Sequence, residues 1–285
     1  MSSPRVSSLG IVGSGIMAAG IAEVAVCAGH RVIVRSRTID GANDVAARVA
    51  SSLGRRVERG KLEPAARDAA LASLSATTNL ADLANCSIIL ESVVEDMKTK
   101  EVLFRELDAL AAPTAILATN TSTLSVGALA MTTTRPDRVC GIHFFNPAAT
   151  MPLVEVVQPP MTSNETIDTA MSFVSSCGKD GVLVRDDAGF IVNALLFPYL
   201  NNAIKMLERG TASMDDIDTA MKGGCNFPMG PFALLDLVGL DTSLSIIRTL
   251  HEASGNPDDA PADTLVRLVA DGHLGRKTGR GFRTH

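Results

Sequence analysis

The feature that most constrains this chain is a glycine-rich turn close to its N-terminus. An apolar run from Val6 to Val12 predicts a buried strand, and Gly13, Gly15 and Ala18 follow it at the start of an apolar helical stretch. In such a turn the first glycine permits a tight bend, the second lets the backbone approach a pyrophosphate, and the third position must be small. The context predicts a dinucleotide-binding α/β domain in which a helix N-terminus faces the pyrophosphate.

Composition and charge limit the classes of protein to which the chain can belong. With 285 residues, 46% of them hydrophobic and 20% charged, it has the composition of a soluble globular protein of one large domain or two. The net charge of −5 argues against general nucleic-acid binding. No stretch has the pattern of a signal peptide or a membrane span, and the five cysteines include no C-x-x-C pair. We therefore expect a cytoplasmic protein with reduced thiols and no metal site.

The second predicted strand, Arg31 to Arg35, bears on the choice of cofactor. It leads into Ser36 and Arg37, and no Asp or Glu occurs between Glu23 and Asp40. In this fold a carboxylate about 20 residues beyond the glycines binds the ribose hydroxyls and favours NAD. A serine hydroxyl and a guanidinium suit a 2′-phosphate, which a carboxylate would repel. The pattern favours NADP(H), although a solvated loop is the usual place for such arginines.

A predicted helix near residue 50 has an exposed basic face. Val45, Val49 and Leu53 recur every four residues and define its buried stripe, while Arg55 and Arg59 lie one turn apart off that stripe. A solvated surface is the simpler interpretation of the two arginines. In a protein that binds a phosphorylated acyl carrier, the same face could receive the phosphates.

Two later strands are predicted to end in polar residues that could do chemistry. The strand at Ala115–Ala118 leads into the cluster Thr119–Thr123, and the strand at Val139–Ile142 leads into His143. Open α/β sheets bind ligands beyond the carboxyl ends of their strands, so these side chains are placed to act, although the Ser/Thr cluster could equally cap a helix. His143 is the strongest candidate for a general base.

Glu155 is an unusual residue for its position, because it lies inside the apolar stretch Pro152–Val157. A carboxylate flanked by valines is costly to bury unless a cationic or hydrogen-bonding group pairs with it. His143 is the obvious candidate for that partner.

The alternation of strands and helices is predicted to stop near residue 187. An apolar run from Phe190 to Glu208 predicts a buried helix in which Asn193 is a polar group that needs a partner. We expect residues 1–187 to form a Rossmann-type domain with a doubly wound, mostly parallel sheet, and residues 188–285 to form an all-helical domain. So short a helical set suggests docking onto the first domain and a homodimer.

The motifs, taken in order, resemble those of the 3-hydroxyacyl-CoA dehydrogenases, and most of all the single-function bacterial 3-hydroxybutyryl-CoA dehydrogenases. The resemblance spans essentially the whole chain and rests on seven segments: Gly13–Met17, Thr119–Ser122, Gly141–Pro147, Leu153–Val156, Gly189–Asn193, Met229–Pro231 and Leu274–Phe282. It implies the reversible interconversion of a 3-hydroxyacyl-CoA and a 3-oxoacyl-CoA by hydride transfer at C3, with short chains expected.

The resemblance also implies roles for individual residues. His143 would be the general acid/base, Glu155 would orient its ring, and Ser122 and Asn193 would hydrogen-bond the reacting oxygen. The resemblance adds Glu95 and Lys100 to the residues expected to contact the cofactor, which from the motifs and the loop after the second strand are Gly13, Gly15, Ile16, Met17, Ser36, Arg37 and Asn120. Contacts with the phosphates of CoA or of the cofactor are implied for Arg55 and Arg59.

The chain departs from the family pattern at three positions. Ala18 replaces the third glycine, Ser36 stands where the ribose-binding aspartate is usual, and Arg283 follows Phe282 where an aromatic residue is common. The change at Ser36 supports the prediction of NADP(H).

Two alternatives to this function remain open. The same chemistry could act on a carrier-protein thioester or on a free hydroxy acid such as gulonate. A non-catalytic dinucleotide-binding protein is a further possibility, but the retained set of Ser122, His143, Glu155 and Asn193 argues against it.

Overall fold

A single mixed sheet organises the first part of the chain. The structure is a computed structural model that describes residues 8–285, so Val6 and Ser7 of the first predicted strand lie outside the described residues. The strands of the sheet are β1 (Ser8–Val12), β2 (Arg31–Arg35), β3 (Leu74–Thr77), β4 (Ile88–Glu91), β5 (Ile116–Thr119), β6 (Val139–Phe144), β7 (Leu153–Gln158) and β8 (Asp180–Arg185).

The order of the strands is β3-β2-β1-β4-β5-β6-β7-β8. Every neighbouring pair up to β6 is parallel, β7 runs antiparallel to β6, and β8 runs parallel to β7. The order reverses beside β1, and in such sheets that switch point is where ligands bind. The predicted doubly wound, mostly parallel sheet is confirmed.

Six helices accompany the sheet in the described part of the chain: α1 (Ile16–Cys27), α2 (Ile39–Glu58), α3 (Pro64–Ala72), α4 (Met97–Leu110), α5 (Val126–Ala130) and α6 (Asn164–Ser176). The predicted stripe of α2 is buried, since Val45, Val49 and Leu53 are at most 1% exposed. Thr38 caps the N-terminus of this helix, since its hydroxyl accepts a hydrogen bond from the Gly41 N–H at 3.2 Å.

Two local sequence patterns are misleading. The apolar residues Val102, Leu103 and Leu107 predict one buried side of α4, but Val102 is 53% exposed and Phe104 is buried beside Leu103 and Leu107. At about 100° per residue, positions 103, 104 and 107 share one stripe while position 102 turns away from it. The Ala-rich stretch from Val45 to Ala76 has the composition of helices, but its last residues belong to β3. This strand is only half-buried at the edge of the sheet, so it lacks the apolar run that reveals an inner strand.

The chain divides after Asp187 into two compact units, and the second, residues 188–285, is helical. Its α-helices are α7 (Val192–Glu208), α8 (Met214–Cys225), α9 (Pro231–Val238), α10 (Leu240–Ser254) and α11 (Asp263–Ala270). Their apolar faces form one cluster that includes Phe197, Leu200, Phe232 and Leu265. None of the helices in residues 8–285 is both long and apolar enough to cross a membrane.

Buried aspartates of the second unit hold the last residues of the chain. Asp236, 1% exposed, accepts hydrogen bonds from the N–H groups of Phe282 and Arg283 at 2.8 and 2.9 Å, and its Oδ2 lies 3.0 Å from Nε2 of His285. The guanidinium of Arg283 donates to Asp215 at 2.6 Å and to Asp218 at 3.0 Å. The unusual arginine at position 283 therefore has a structural explanation as the ionic partner of two acids on α8.

We predict that Asp236→Ala lowers the free energy of unfolding by about 2–4 kcal/mol, because two backbone N–H groups would lose a charged acceptor. Urea titration followed by circular dichroism measures this change. Asp271→Ala, at an exposed position that caps α11, is the matched control. If Asp236→Ala and the wild type unfolded at the same urea concentration, the stabilising role assigned to Asp236 would be contradicted.

Candidate active site

The glycine turn between β1 and α1 has the geometry that its sequence predicts. Gly13 has φ +146°, and a Cβ there would lie 2.2 Å from the Ser92 carbonyl oxygen, so any other residue would clash with the backbone. Gly15 caps α1, and a Cβ at that position would meet nothing within 4 Å. Ala18 is fully buried, so the third position of the turn must be occupied by a small residue, and alanine meets that requirement.

This turn forms one wall of a cleft of about 710 Å³. Arg35, Ser36 and Arg37 line the cleft at the end of β2, and the other wall comes from the residues after β4 and from α4: Ser92, Val93, Val94, Thr99, Val102, Leu103 and Glu106. The first turn of α1 carries no acidic residue, and its leading N–H groups have no partner within the helix. The open space at Gly15, the helix N-terminus and the apolar wall fit a dinucleotide.

The loop after β2 brings its residues together at this cleft. The Ser36 N–H donates to the Thr77 carbonyl at 3.1 Å, and Ser36 is 7% exposed. Arg37 is exposed. Of the cleft residues, the one carboxylate is that of Glu106, which comes from α4 rather than from the loop where a ribose-binding acid would lie.

A buried charged cluster lies at the ends of β4 and β5. Glu91, fully buried, accepts hydrogen bonds from Lys100 Nζ at 2.7 and 2.8 Å, from the Val93 N–H at 2.6 Å and from the Thr119 hydroxyl at 2.7 Å. Lys100, 1% exposed, also lies 3.1 Å from Glu95 Oε2. Lys100 therefore lies between two carboxylates, a position that keeps its charge compensated although it is buried.

Glu95 connects this cluster to the loop after β5. Its Oε1 accepts hydrogen bonds from the Thr121 hydroxyl and from the Ser122 N–H, the latter at 2.9 Å. Burial alone would raise the pKa of Glu95, but the positive charge of Lys100 and the hydrogen bonds from Thr121 and Ser122 outweigh burial and lower it. An ionised Glu95 thus fixes the backbone that carries Ser122.

Asn120 joins the ends of three neighbouring strands. Its N–H donates to the Glu91 carbonyl at 2.9 Å, and its side-chain oxygen accepts from the Phe144 N–H at 2.8 Å. Phe144 directly follows His143, so Asn120 helps to fix the end of β6. Sequence reasoning assigned Asn120 to the cofactor and missed this bracing role, as it missed Glu91. The available signal was an acid at the end of the otherwise apolar strand β4.

His143 and Glu155 face each other across β6 and β7. They are directly paired in the antiparallel register, an arrangement that points both side chains to the same face of the sheet. His143 Nδ1 lies 2.8 Å from Glu155 Oε2, and the two residues are 6% and 1% exposed. A carboxylate at Nδ1 selects the neutral tautomer with its proton on that nitrogen, which leaves Nε2 as the basic nitrogen. The ring of Phe145 lies 4.5 Å from the imidazole, centroid to centroid.

The remaining predicted residues do not line the cleft. Ile16 is 66% exposed at the start of α1, and Met17 is partly buried against the core. Arg55 donates to Ser51 at 2.7 Å on the exposed face of α2, and Arg59 is exposed at the end of that helix. Neither arginine lines the cleft. In the second unit, Asn193 lies in the first turn of α7 and is 7% exposed.

Three of the five cysteines are not candidates for nucleophiles. Burial raises the pKa of Cys140 and of Cys177 to about 12 and that of Cys86 to about 11, so these thiols stay protonated at neutral pH. No group of three or more His, Cys, Asp or Glu side chains in residues 8–285 is arranged to hold a metal ion.

Two family models together match nearly the whole chain. Residues 8–187 match "3-hydroxyacyl-CoA dehydrogenase, NAD binding domain", and residues 189–285 match "3-hydroxyacyl-CoA dehydrogenase, C-terminal domain".

Individual relatives agree with these models. The chain is 45% identical to hydroxyacyl-coenzyme A dehydrogenase, mitochondrial, from Sus scrofa, over 95% of this chain and 89% of the relative. It is 42% identical to a 3-hydroxybutyryl-CoA dehydrogenase from Mycobacterium tuberculosis, over 99% of this chain and 100% of the relative. The crystal structure of (S)-3-hydroxybutyryl-CoA dehydrogenase from Ralstonia eutropha superposes with a TM-score of 0.96 at 37% identity and covers 99% of each chain.

We predict that Glu95→Gln reduces thermal stability at neutral pH and that the difference from the wild type shrinks in acid. The folded-state pKa of Glu95 lies below its ordinary value of 4.5, so its ionised form stabilises the fold above about pH 4.5. That stabilisation is lost as the pH falls through the lowered pKa. Melting temperatures between pH 3 and pH 7 measure the effect.

The control for this experiment is Glu58→Gln, which removes an exposed carboxylate at the end of α2. A difference between Glu95→Gln and the wild type that is constant over the whole pH range would contradict the lowered pKa.

Proposed function

The chain belongs to the 3-hydroxyacyl-CoA dehydrogenase family, and from this membership we propose that it interconverts short-chain (S)-3-hydroxyacyl-CoA and 3-oxoacyl-CoA with His143 as the general acid/base. The observation that carries the proposal is the buried pair of His143 and Glu155 at the end of β6. The relatives named as 3-hydroxybutyryl-CoA dehydrogenases support the choice of a short acyl chain.

The pair has a definite task in the reaction. In the oxidative direction Nε2 of His143 accepts the proton of the C3 hydroxyl of the substrate. In the reductive direction Nε2 returns that proton to the oxygen at C3. Glu155 holds the Nδ1–H and stabilises the imidazolium that forms, because its negative charge lies 2.8 Å from the ring nitrogen in a buried environment. When bound, the nicotinamide ring accepts or supplies the hydride.

The reacting oxygen needs hydrogen-bond donors in addition to His143. We assign this role to the Ser122 hydroxyl and to the Asn193 amide. The position of Ser122 is fixed through its backbone N–H by Glu95, and the Glu95 carboxylate is held in turn by Lys100. These contacts already restrict the motion of the loop that carries Ser122, so less conformational freedom is lost when the transition state forms.

We propose that the enzyme prefers NADP(H) to NAD(H). Ser36 and Arg37 offer a hydroxyl and a guanidinium at the cleft, and the loop after β2 supplies no carboxylate to bind ribose hydroxyls. The cofactor would lie with its pyrophosphate at Gly13, Gly15, Ile16 and Met17. Because cells keep the NADPH pool reduced, this preference favours the biosynthetic, reducing direction.

The basic face of α2 is the proposed site for the phosphates of CoA. Arg55 and Arg59 are exposed one helical turn apart and do not line the dinucleotide cleft, so they are free to bind a separate anion. Equal KM values for acetoacetyl-CoA and a truncated acetoacetyl thioester without the nucleotide would contradict this assignment.

We propose a cytoplasmic homodimer that associates through the second unit. That unit exposes large apolar side chains, with Leu195 71%, Leu237 49% and Phe227 42% exposed. Burial of such side chains is the usual source of affinity between subunits. Sedimentation as a monomer at micromolar concentration would contradict the dimer.

We predict that the enzyme oxidises NADPH rapidly with acetoacetyl-CoA and NADH much more slowly. The physical reason is that only NADPH carries the 2′-phosphate, with which the guanidinium of Arg37 and the hydroxyl of Ser36 can form charge-assisted hydrogen bonds. The loss of reduced-nicotinamide absorbance, followed in parallel for the two cofactors, measures both rates.

The other outcomes of this assay separate the parts of the proposal. Preference for NADH would keep the reaction and contradict the choice of cofactor. Oxidation of neither cofactor would contradict the acyl-CoA substrate and favour a carrier-bound or free hydroxy acid.

A further inference from the structure

A 2′-phosphate demands more positive charge than Arg37 alone provides. A phosphate monoester carries about −1.5 to −2 charges at neutral pH. Arg37 is exposed, and its attraction for an anion is therefore weakened by water and salt. A second cation held in a fixed position would strengthen the discrimination between NADPH and NADH.

Arg35 is rigidly attached to the glycine turn through its backbone. It is paired with Val12 in the parallel register of β1 and β2, and its carbonyl accepts the Gly13 N–H at 3.0 Å. Val12, Gly13 and Arg35 all line the cleft. The Cα of Arg35 is consequently fixed relative to the turn that faces the pyrophosphate.

The side chain of Arg35 is oriented as well. Its Nε–H donates to the Thr78 carbonyl at 3.1 Å, and the residue is half-buried. A guanidinium has five N–H donors in one plane, so a single bond at Nε leaves the two terminal nitrogens as a preoriented fork. Within residues 8–285 this bond is the one hydrogen bond made by the Arg35 side chain.

The charges around the cleft favour an anion. Its walls carry the guanidinium groups of Arg35 and Arg37 and the carboxylate of Glu106. These three side chains leave the cleft with a net positive charge, a balance that suits a ligand with one phosphate more than NADH has.

We propose that Arg35 is a specificity-determining residue that binds the 2′-phosphate of NADP(H) together with Ser36 and Arg37. The inference rests on the NADP(H) preference proposed above and adds the residue that supplies the fixed cation. Its competitor is a contact in which the guanidinium stacks on the adenine ring, which both cofactors share.

The test is equilibrium binding of NADPH and NADH, followed by nicotinamide fluorescence, to the wild type and to Arg35→Gln. We expect Arg35→Gln to weaken NADPH about 10- to 100-fold more than NADH, because a charge-assisted bidentate contact would be lost. Arg35→Lys keeps the charge without the fork and should restore part of the lost selectivity.

Arg31→Gln is the matched control for the same strand. Arg31 lies four residues before Arg35 on the same face of β2, is exposed, and is paired with Ser8 at the opposite end of the strand, away from the cleft. It should leave the ratio of the two dissociation constants unchanged. Arg37→Ala shows, for comparison, how much selectivity is lost when an exposed cation in the loop after β2 is removed.

Three results would overturn the inference, and they are distinguishable from one another. Equal weakening of NADPH and NADH in Arg35→Gln would assign Arg35 to the adenine or to the wall of the cleft. No change in either dissociation constant would exclude Arg35 from the site. Preference of the wild-type protein for NADH would contradict the NADP(H) proposal itself, whereas the first two results leave that proposal standing if the wild type prefers NADPH.

Discussion

The hydrogen bond between His143 Nδ1 and Glu155 Oε2 is the interaction on which the proposed proton transfer depends. It exists because β7 reverses direction beside β6, so that two residues twelve positions apart become direct partners with side chains on one face. Each residue would be costly to bury alone, and each satisfies the other. The antiparallel pairing of β7 with β6 therefore places a buried histidine–glutamate pair near the carboxyl ends of the parallel strands.

A second constraint acts on the neighbouring strand ends. Glu91 and Lys100 are buried at the end of β4 and hold Glu95, which fixes the loop that carries Ser122. Asn120 connects the same region to the backbone beside His143. Parallel strands bring their carboxyl ends to one edge, and this network turns that common edge into a rigid arrangement. The charged cluster thus holds the strand ends in place beside the residue to which we assign the proton transfer, His143.

Much of this architecture could be predicted from local sequence. The strand, glycine turn and apolar helix indicated the doubly wound sheet, and the valines around Glu155 indicated a carboxylate with a partner. Three features could not be predicted from local sequence, because each depends on tertiary contacts between separate segments. They are the pairing of Glu91 with Lys100, the contacts of Asn120 that fix the strand ends, and the ionic partners of Arg283. The edge strand β3 could not be predicted either, because a half-buried strand lacks a clear pattern of apolar residues.

The most direct test of the central claim is turnover by His143→Ala with acetoacetyl-CoA, measured beside the dissociation constant of the cofactor. If His143 transfers the proton, kcat falls by about 10²- to 10⁴-fold, because an alanine cannot act as acid or base. The dissociation constant should change little, since the dinucleotide cleft is formed by other residues. Turnover close to that of the wild type would contradict the role assigned to His143 and to its bond with Glu155.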